Sequence, residues 1–323
     1  MKLSIKQKLM VYVTLVIILV VTIVTVPAIY FFSNNLETMY ENEAVNGLNG
    51  EKDLLDGLKS NAKGYAISFA HYPGVSKAME DRDTAALVQI LKPLAENANI
   101  DSVTVADSNG VVIARTHDQK TGDSVINQLN VKMALAGTIA STVEPGTVVK
   151  LSARAGAPVK NSQGNIIGVI TAGYTVSKNE LVDNIKQKYG VESTIFLGDE
   201  RINTTFIQDG KRAIGTKLDK AISDIVLKQG QKYIGRADIF GKEYITVYEP
   251  IMKADKPVGI IFAGLNTDKL MAEKKSLIVI IGLIALCALG IGMAGTFFMA
   301  KNITSPLIKL VGAVSKIAAG DLT

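Results

Sequence analysis

Two stretches of the chain show no polar period at all. Residues 9–32, LMVYVTLVIILVVTIVTVPAIYFF, and residues 276–300, SLIVIIGLIALCALGIGMAGTFFMA, contain no charged side chain. A helix needs ~20 apolar residues to cross a bilayer, and both stretches are long enough. Between them the pattern changes twice. Over 34–70 the apolar residues Leu48, Leu54, Leu55, Leu58, Ala62, Tyr65 and Phe69 recur at helical intervals, which predicts one long amphipathic helix ending at Pro73-Gly74. A shorter helix follows over 83–97, with Asp83 or Thr84 placed to cap it.

From Ile100 onward the period becomes that of strands. The first β-rich stretch predicts strands over 101–106, 111–116, 138–143, 147–155 and 165–175, with a short helix over 129–136. A helix over 178–189 leads to a second stretch, with strands over 192–197, 201–206, 231–239, 243–252 and 257–265 and a helix over 219–228. The two stretches repeat one plan. SVTVADSNGVVIARTHDQKTGDSV at 102–125 parallels STIFLGDERINTTFIQDGKRAIGTKL at 193–218, and QGNIIGVITAGYTVSKNEL at 163–181 parallels DKPVGIIFAGLNTDKL at 255–270. Two matches in the same order predict two copies of one unit. Short loops between strands make each unit antiparallel, so the fold class is α+β.

Composition agrees with anchored sheets. The 323 residues are 48% hydrophobic with formal charge +5, and the mean hydropathy of +0.25 is high for a chain without membrane segments. The first apolar stretch is too long for the core of a signal peptide, and no small-x-small cleavage site follows, so it reads as a retained helix. Lys2, Lys6 and Lys8 precede it, whereas Glu37, Glu41 and Glu43 follow. The positive-inside rule then puts the N-terminus in the cytoplasm and residues 33–275 outside it. Lys301, Lys309 and Lys316 agree; Lys269, Lys274 and Lys275 oppose. The single cysteine, Cys287, lies within the second apolar stretch, so the exported part has no disulfide. Ala288, Gly292, Thr296 and Ala300 repeat every fourth residue there, a stripe suited to a dimer seam, with a lipid-facing placement as the alternative. No basic run points to nucleic acid, and no metal, nucleophile or phosphate motif is present, which predicts a protein that is not an enzyme and uses no cofactor.

A helix leaving the membrane, two hairpin-rich sheets and a returning span together resemble the double-Cache sensor domains, whose membrane-distal unit is similar to those that sense citrate and C4-dicarboxylates. The resembling segments are DSVTVADSNGVVIARTHDQKTGDS, VKLSARAGAPVKNSQGNIIGVITAGYT, GVESTIFLGDERINTTF and KEYITVYEPIMKADKPVGIIFAGL. KNITSPLIKLVGAVSKIAAGDLT, with Pro306, a stripe of Leu307, Leu310, Val314 and Ile317, and a closing Gly320-Asp321-Leu322, resembles the first helix of a HAMP linker. The implied organisation is a cytoplasmic N-terminus over 1–8, a transmembrane helix over 9–32 and a long helix with a membrane-distal PAS-like unit over 33–180. A membrane-proximal unit over 181–275, a second transmembrane helix over 276–300 and HAMP over 301–323 complete it.

The resemblance also implies a site. Arg115 falls on a strand end that is cationic in the carboxylate-sensing members, Arg154 on a basic residue just before Ala-Pro, Thr171 on a hydroxyl that bonds ligand, and Thr104 on a neighbouring polar position. Two guanidiniums aimed into one pocket bind carboxylates by paired hydrogen bonds. The alternative for Arg115 is an exposed strand end or a salt bridge to Asp118 or Asp123. His117 is a ligand contact or an exposed loop histidine, and Tyr65 with Phe69 either walls the pocket or belongs to the core. Where dicarboxylate sensors often carry a lysine two residues after the second basic position, this chain has Gly156. Tyr233, Arg236, Tyr244 and Tyr248 read as sheet packing in the proximal unit. The expected protein is a homodimeric membrane chemoreceptor of the cell's inner membrane. It takes a small carboxylate-like ligand and signals to CheA/CheW-type proteins; the alternative outputs are a histidine kinase, a diguanylate cyclase or none.

Overall fold

The structure, a computed structural model, describes residues 5–318. The first helix, α1 (Ile5–Ala70), continues without a break from the apolar stretch into the amphipathic one. Pro27 lies inside it, where it removes one backbone donor. The residues form two compact units, one of Tyr40–Thr267 and one made of the flanking apolar segments.

In the larger unit, α1 ends at a turn in which the His71 ring bonds the Ile67 carbonyl at 2.9 Å. Two short helices follow, α2 (Val75–Glu80) and α3 (Thr84–Asn97). The Asp83 side chain accepts from the Ala86 amide at 2.9 Å, so Asp83 is the cap. The first sheet contains β1 (Ser102–Asp107), β2 (Val112–Arg115), β3 (Ala140–Glu144), β4 (Ser152–Lys160) and β5 (Ile166–Thr175) in the order β2-β1-β5-β4-β3. After helix α5 (Asn179–Tyr189) comes the second sheet. It consists of β6 (Glu192–Leu197), β7 (Glu200–Thr204), β10 (Tyr233–Ile239), β11 (Lys242–Lys253) and β12 (Lys256–Asn266), ordered β7-β6-β12-β11-β10. Strand for strand the two orders are the same, the direct mark of a duplicated unit. A small ribbon, β8 (Ile207–Gln208) with β9 (Lys211–Arg212), lies outside the main sheets. The helix expected over 219–228 begins as α6 (Lys220–Ser223) and continues as a π-helical turn at Asp224–Lys228.

One predicted strand is displaced. The segment expected over 147–155 begins only at Ser152 and runs on to Lys160. Pro158 does not stop it, because β3 pairs with β4 only as far as Gly156, and the proline faces no second strand.

Alternation divides the first sheet into two faces. Val103, Val105, Ala155, Ala157, Ile170 and Ala172 join Ala62, Ala66 and Phe69 of α1 and Leu87 and Leu91 of α3 in one core. The other face, with Ala106, Val112 and Val169, is covered by α4 (Leu129–Leu135) through Val131 and Ala134. The second sheet has an aromatic core of Phe196, Phe206, Tyr244, Tyr248 and Phe262. α1 lies close to the start of this sheet: a Cβ on Gly50 would meet the Tyr189 ring at 2.2 Å, so only glycine allows that approach.

In the smaller unit the second apolar stretch lies in α7 (Thr267–Met299), followed by a π-helical turn at Ala300–Thr304 and α8 (Ser305–Ala318). The small-residue stripe, expected as a dimer seam, turns toward the first apolar helix of the same chain: a Cβ on Gly292 would sit 3.0 Å from Ile17. Leu307, Leu310 and Val314 of α8 are exposed, and the expected terminal Gly320-Asp321-Leu322 lies outside the described residues.

Candidate functional site

The face of the first sheet turned away from α1 carries the site. Alternation places Ser102 and Thr104 of β1, Thr171 of β5 and Arg154 of β4 on that face, and Arg115 ends the neighbouring β2. Register brings them together, since Thr104 lies opposite both Arg115 and Thr171, while Arg154 lies opposite Gly173. These side chains, with His117, Val125, Gln128 and Thr147–Val149 from the loops above, line one cavity. Its free space is about 20 Å³, little more than one water molecule occupies.

Arg115, Arg154, Thr171, Thr104 and His117 all reach this cavity. Tyr65 does not. It is half-buried in the core on the opposite face, with its ring 5.9 Å from that of Phe69, because α1 covers the wrong side of the sheet.

The two arginines differ. Arg115 has a 2% exposed side chain and grips Asp123 through both terminal nitrogens, at 2.7 and 2.9 Å. The same nitrogens donate to the Lys120 carbonyl and, at 3.0 Å, to the Thr147 hydroxyl. All four terminal N–H groups are therefore occupied. The salt bridge named as the alternative for Arg115 is the one formed. In return the guanidinium holds the Asp123 carboxyl down to about 2.

Arg154 is buried, and among the described residues it pairs with no carboxylate. Its Nε donates to Ser152 at 2.7 Å and one terminal nitrogen to Gln128 at 3.0 Å, which leaves three N–H groups without a partner. Burial pushes its pKa down to about 10, so it remains a cation at neutral pH. Burying an unpaired charge is costly, so an uncompensated guanidinium at a cavity marks a place for an anion. Two glycines shape this corner. A Cβ on Gly146 would lie 2.6 Å from the Arg154 guanidinium, and one on Gly156 would lie 2.5 Å from the Asn130 carbonyl of α4. The lysine that dicarboxylate sensors often place at the latter position has no room here.

Burial, reinforced by the Arg115 charge, pushes the His117 imidazole down from 6.5, so it is neutral at pH 7. Gln128, which holds Arg154, immediately precedes α4; Glu144 of β3 accepts from the Leu129 and Asn130 amides at 2.9 and 3.3 Å. Sequence reasoning missed Gln128, Thr147 and Gly146. The motif SARAGAP points to Arg154, but nothing local to QLN or PGT marks them as its neighbours.

The second sheet carries different side chains at the corresponding positions, and its own buried arginine, Arg201, is stacked over Phe196 and Phe240. Register puts Thr204 where the first has Arg115, Thr246 where it has Arg154, and Phe262 where it has Thr171. Thr194 and Thr204 bond each other at 2.6 Å, and the rings of Phe262 and Tyr248 stand 4.8 Å apart in the space above. Tyr244 and Tyr248 are core residues, and Arg236 pairs with Glu243 at 2.6 Å.

Residues 50–179 match the family described as single Cache domain 3, and residues 174–277 match a second family of the same description. The sensor histidine kinase CitA of Klebsiella pneumoniae is 22% identical over 115 residues, 36% of this chain and 21% of the kinase, so the match spans about a fifth of that protein. The ligand-binding domain of the Campylobacter jejuni chemoreceptor Tlp3, solved with 4-methylisoleucine, is 15% identical. That alignment covers 74% of this chain and 93% of the domain, with a TM-score of 0.48. The sensor domain of the Vibrio cholerae histidine kinase DctB is 12% identical, with 71% and 98% covered and a TM-score of 0.49.

Proposed function

We propose that this chain, which carries two Cache domains in tandem between two helices apolar enough to span a membrane, is the sensing part of a transmembrane chemoreceptor for a small carboxylate. One observation carries the ligand class: Arg154 is a buried cation with no carboxylate partner among the described residues and three N–H groups turned to no acceptor. Beside it the hydroxyls of Thr104 and Thr171 also lack partners among the described residues, and they suit the same carboxylate. The domain nearer the N-terminus binds; the other, filled with aromatic rings, relays.

In this reading residues 33–275 lie outside the cytoplasm and the two spans sit in the inner membrane, as the lysines before the first span favour. The chain works as a homodimer without catalytic activity of its own. Ligand biases one of two arrangements of the dimer, and α8 acts as the first HAMP helix toward CheA/CheW-type proteins. The test is a fusion of residues 1–323 to the cytoplasmic domain of a chemoreceptor. A carboxylate gradient elicits a response, and Arg154→Gln abolishes it while the fusion still reaches the membrane. A response that persists after deletion of 34–275 overturns the proposal.

The likeness to CitA favours a second output, a histidine kinase. The codons following Thr323 discriminate: a long helical hairpin supports the chemoreceptor, and a phosphoacceptor-histidine domain supports the kinase.

A further inference from the structure

The cavity holds one guanidinium for a ligand, not two. Arg115 has every terminal N–H engaged, two of them by Asp123. Arg154 presents a terminal nitrogen with both N–H groups open and a second with one, enough for one carboxylate gripped through both oxygens. The charges agree. No carboxylate lines the cavity: Asp123 holds Arg115 from outside the lining, and Glu144, whose charge reaches Arg154, is itself held by Lys253 at 2.8 Å. Outside the cavity the exposed Lys120 lies 3.9 Å from Asp123, and the exposed Asp118 offsets its charge. One net positive charge remains.

The rest of the lining sets the shape of the ligand beyond its carboxylate. Ser102, Thr104, Gln128, Thr147 and Thr171 make it polar, and it includes no cation at neutral pH besides the two arginines. At Gly156, where a further cation would reach a second acid group, the Asn130 carbonyl of α4 occupies the approach.

We infer that the site selects a short-chain monocarboxylate, because Asp123 already neutralises the arginine that the second carboxylate of a diacid would need. The inference rests on the carboxylate reading of the cavity and adds its valence and shape. A diacid must either displace Asp123 from Arg115 or bury its second charge with no free cation to receive it, and both are unfavourable. An α-amino acid brings an ammonium for which the lining offers no carboxylate.

The experiment is thermal unfolding of the full chain in detergent micelles with acetate, propionate, pyruvate, succinate, malate, citrate and isoleucine added in turn. The monocarboxylates raise Tm by roughly 2–8 °C, and the diacids, citrate and isoleucine do not. Asp123→Ala frees Arg115 and makes succinate or malate the stronger stabiliser. A Tm rise in the unaltered chain from a diacid, citrate or isoleucine equal to that from the monocarboxylates overturns the inference and leaves the carboxylate reading standing. No response to any carboxylate overturns both. The unaltered chain alone decides the matter if Asp123→Ala does not fold.

Discussion

The ammonium of Lys253 on β11 lies 2.8 Å from the carboxylate of Glu144 on β3, whose side chain has no exposed surface. Lys253 also donates to the Asn127 carbonyl at 3.1 Å, next to Gln128. Thus Arg154 at the cavity, its partner Gln128, the first amides of α4 and Glu144 form a continuous polar path that ends on the second sheet. A change in how Arg154 is held has a route to the proximal domain that does not depend on apolar packing.

Lys253→Met leaves Glu144 buried without its cation, while Thr142 and two amides still satisfy its oxygens. Chemical denaturation is expected to show a loss of roughly 1–3 kcal/mol, less than for a fully buried pair because Lys253 is partly exposed. The double variant with Glu144→Gln recovers part of this. Two losses that simply add would mean the pair contributes no coupling.

Gly146→Ala forces a methyl against the Arg154 guanidinium and the Val149 carbonyl, at 2.6 and 2.8 Å. The guanidinium has to move, so carboxylate affinity falls by about tenfold or more, with the far-ultraviolet dichroism unchanged. Titration calorimetry reads this directly. An unaltered affinity would remove the Arg154 fork from the binding step.

Glu51 of α1 is buried with neither carboxyl oxygen in a hydrogen bond, and burial raises its pKa well above 4.5, opposed only by the Ser193 hydroxyl. In the unfolded chain it ionises above 4.5, whereas in the folded chain it stays protonated to higher pH. The folded state therefore holds more protons in that window, and stability declines as pH rises from 4.5 toward the folded value. Glu51→Gln removes the decline and stabilises the chain at neutral pH by about 1 kcal/mol or more. Unfolding midpoints measured between acid and neutral pH check it; an identical slope in both proteins would contradict it.

Phe262→Ala opens the space that corresponds to the ligand cavity in the other sheet. Phe262 contacts Phe206 and Tyr248 in the aromatic core, at ring separations of 5.7 and 4.8 Å, so the expected loss is about 3–5 kcal/mol. No carboxylate response is expected in that domain, because its buried cation, Arg201, stays stacked on Phe196 and bonded to Thr216 and the Lys217 carbonyl. Monocarboxylates still stabilise the variant through the first domain, which thermal unfolding with added acetate would show.

Much of the architecture is local and legible as such. Continuous apolar stretches, a helical period over 34–70 and period-2 runs each side of turn residues require no knowledge of partners. The repeated GVITAGYT and GIIFAGLN segments carry the duplication for the same reason, and the strand orders are its three-dimensional form. Boundaries that depend on a neighbour are not legible in this way. Where β4 starts depends on its pairing with β3 and β5, and whether Pro158 is tolerated depends on where β3 stops.

By itself the sequence determined the two apolar helices, the α+β class, the two copies and the strand side chains Thr104, Arg115, Arg154 and Thr171 that share the cavity, because alternation along a strand dictates which residues share a face. It did not decide which of two arginines is free. Arg115 and Arg154 look alike in the sequence; only tertiary structure brings Asp123 onto the first and leaves the second with Ser152 and Gln128 alone. Nor did it decide that Tyr65 stands behind the sheet, since the face a helix covers is set by packing. A charge becomes a binding site only when folding withholds its partner, and that is a property of distances, not of residue order.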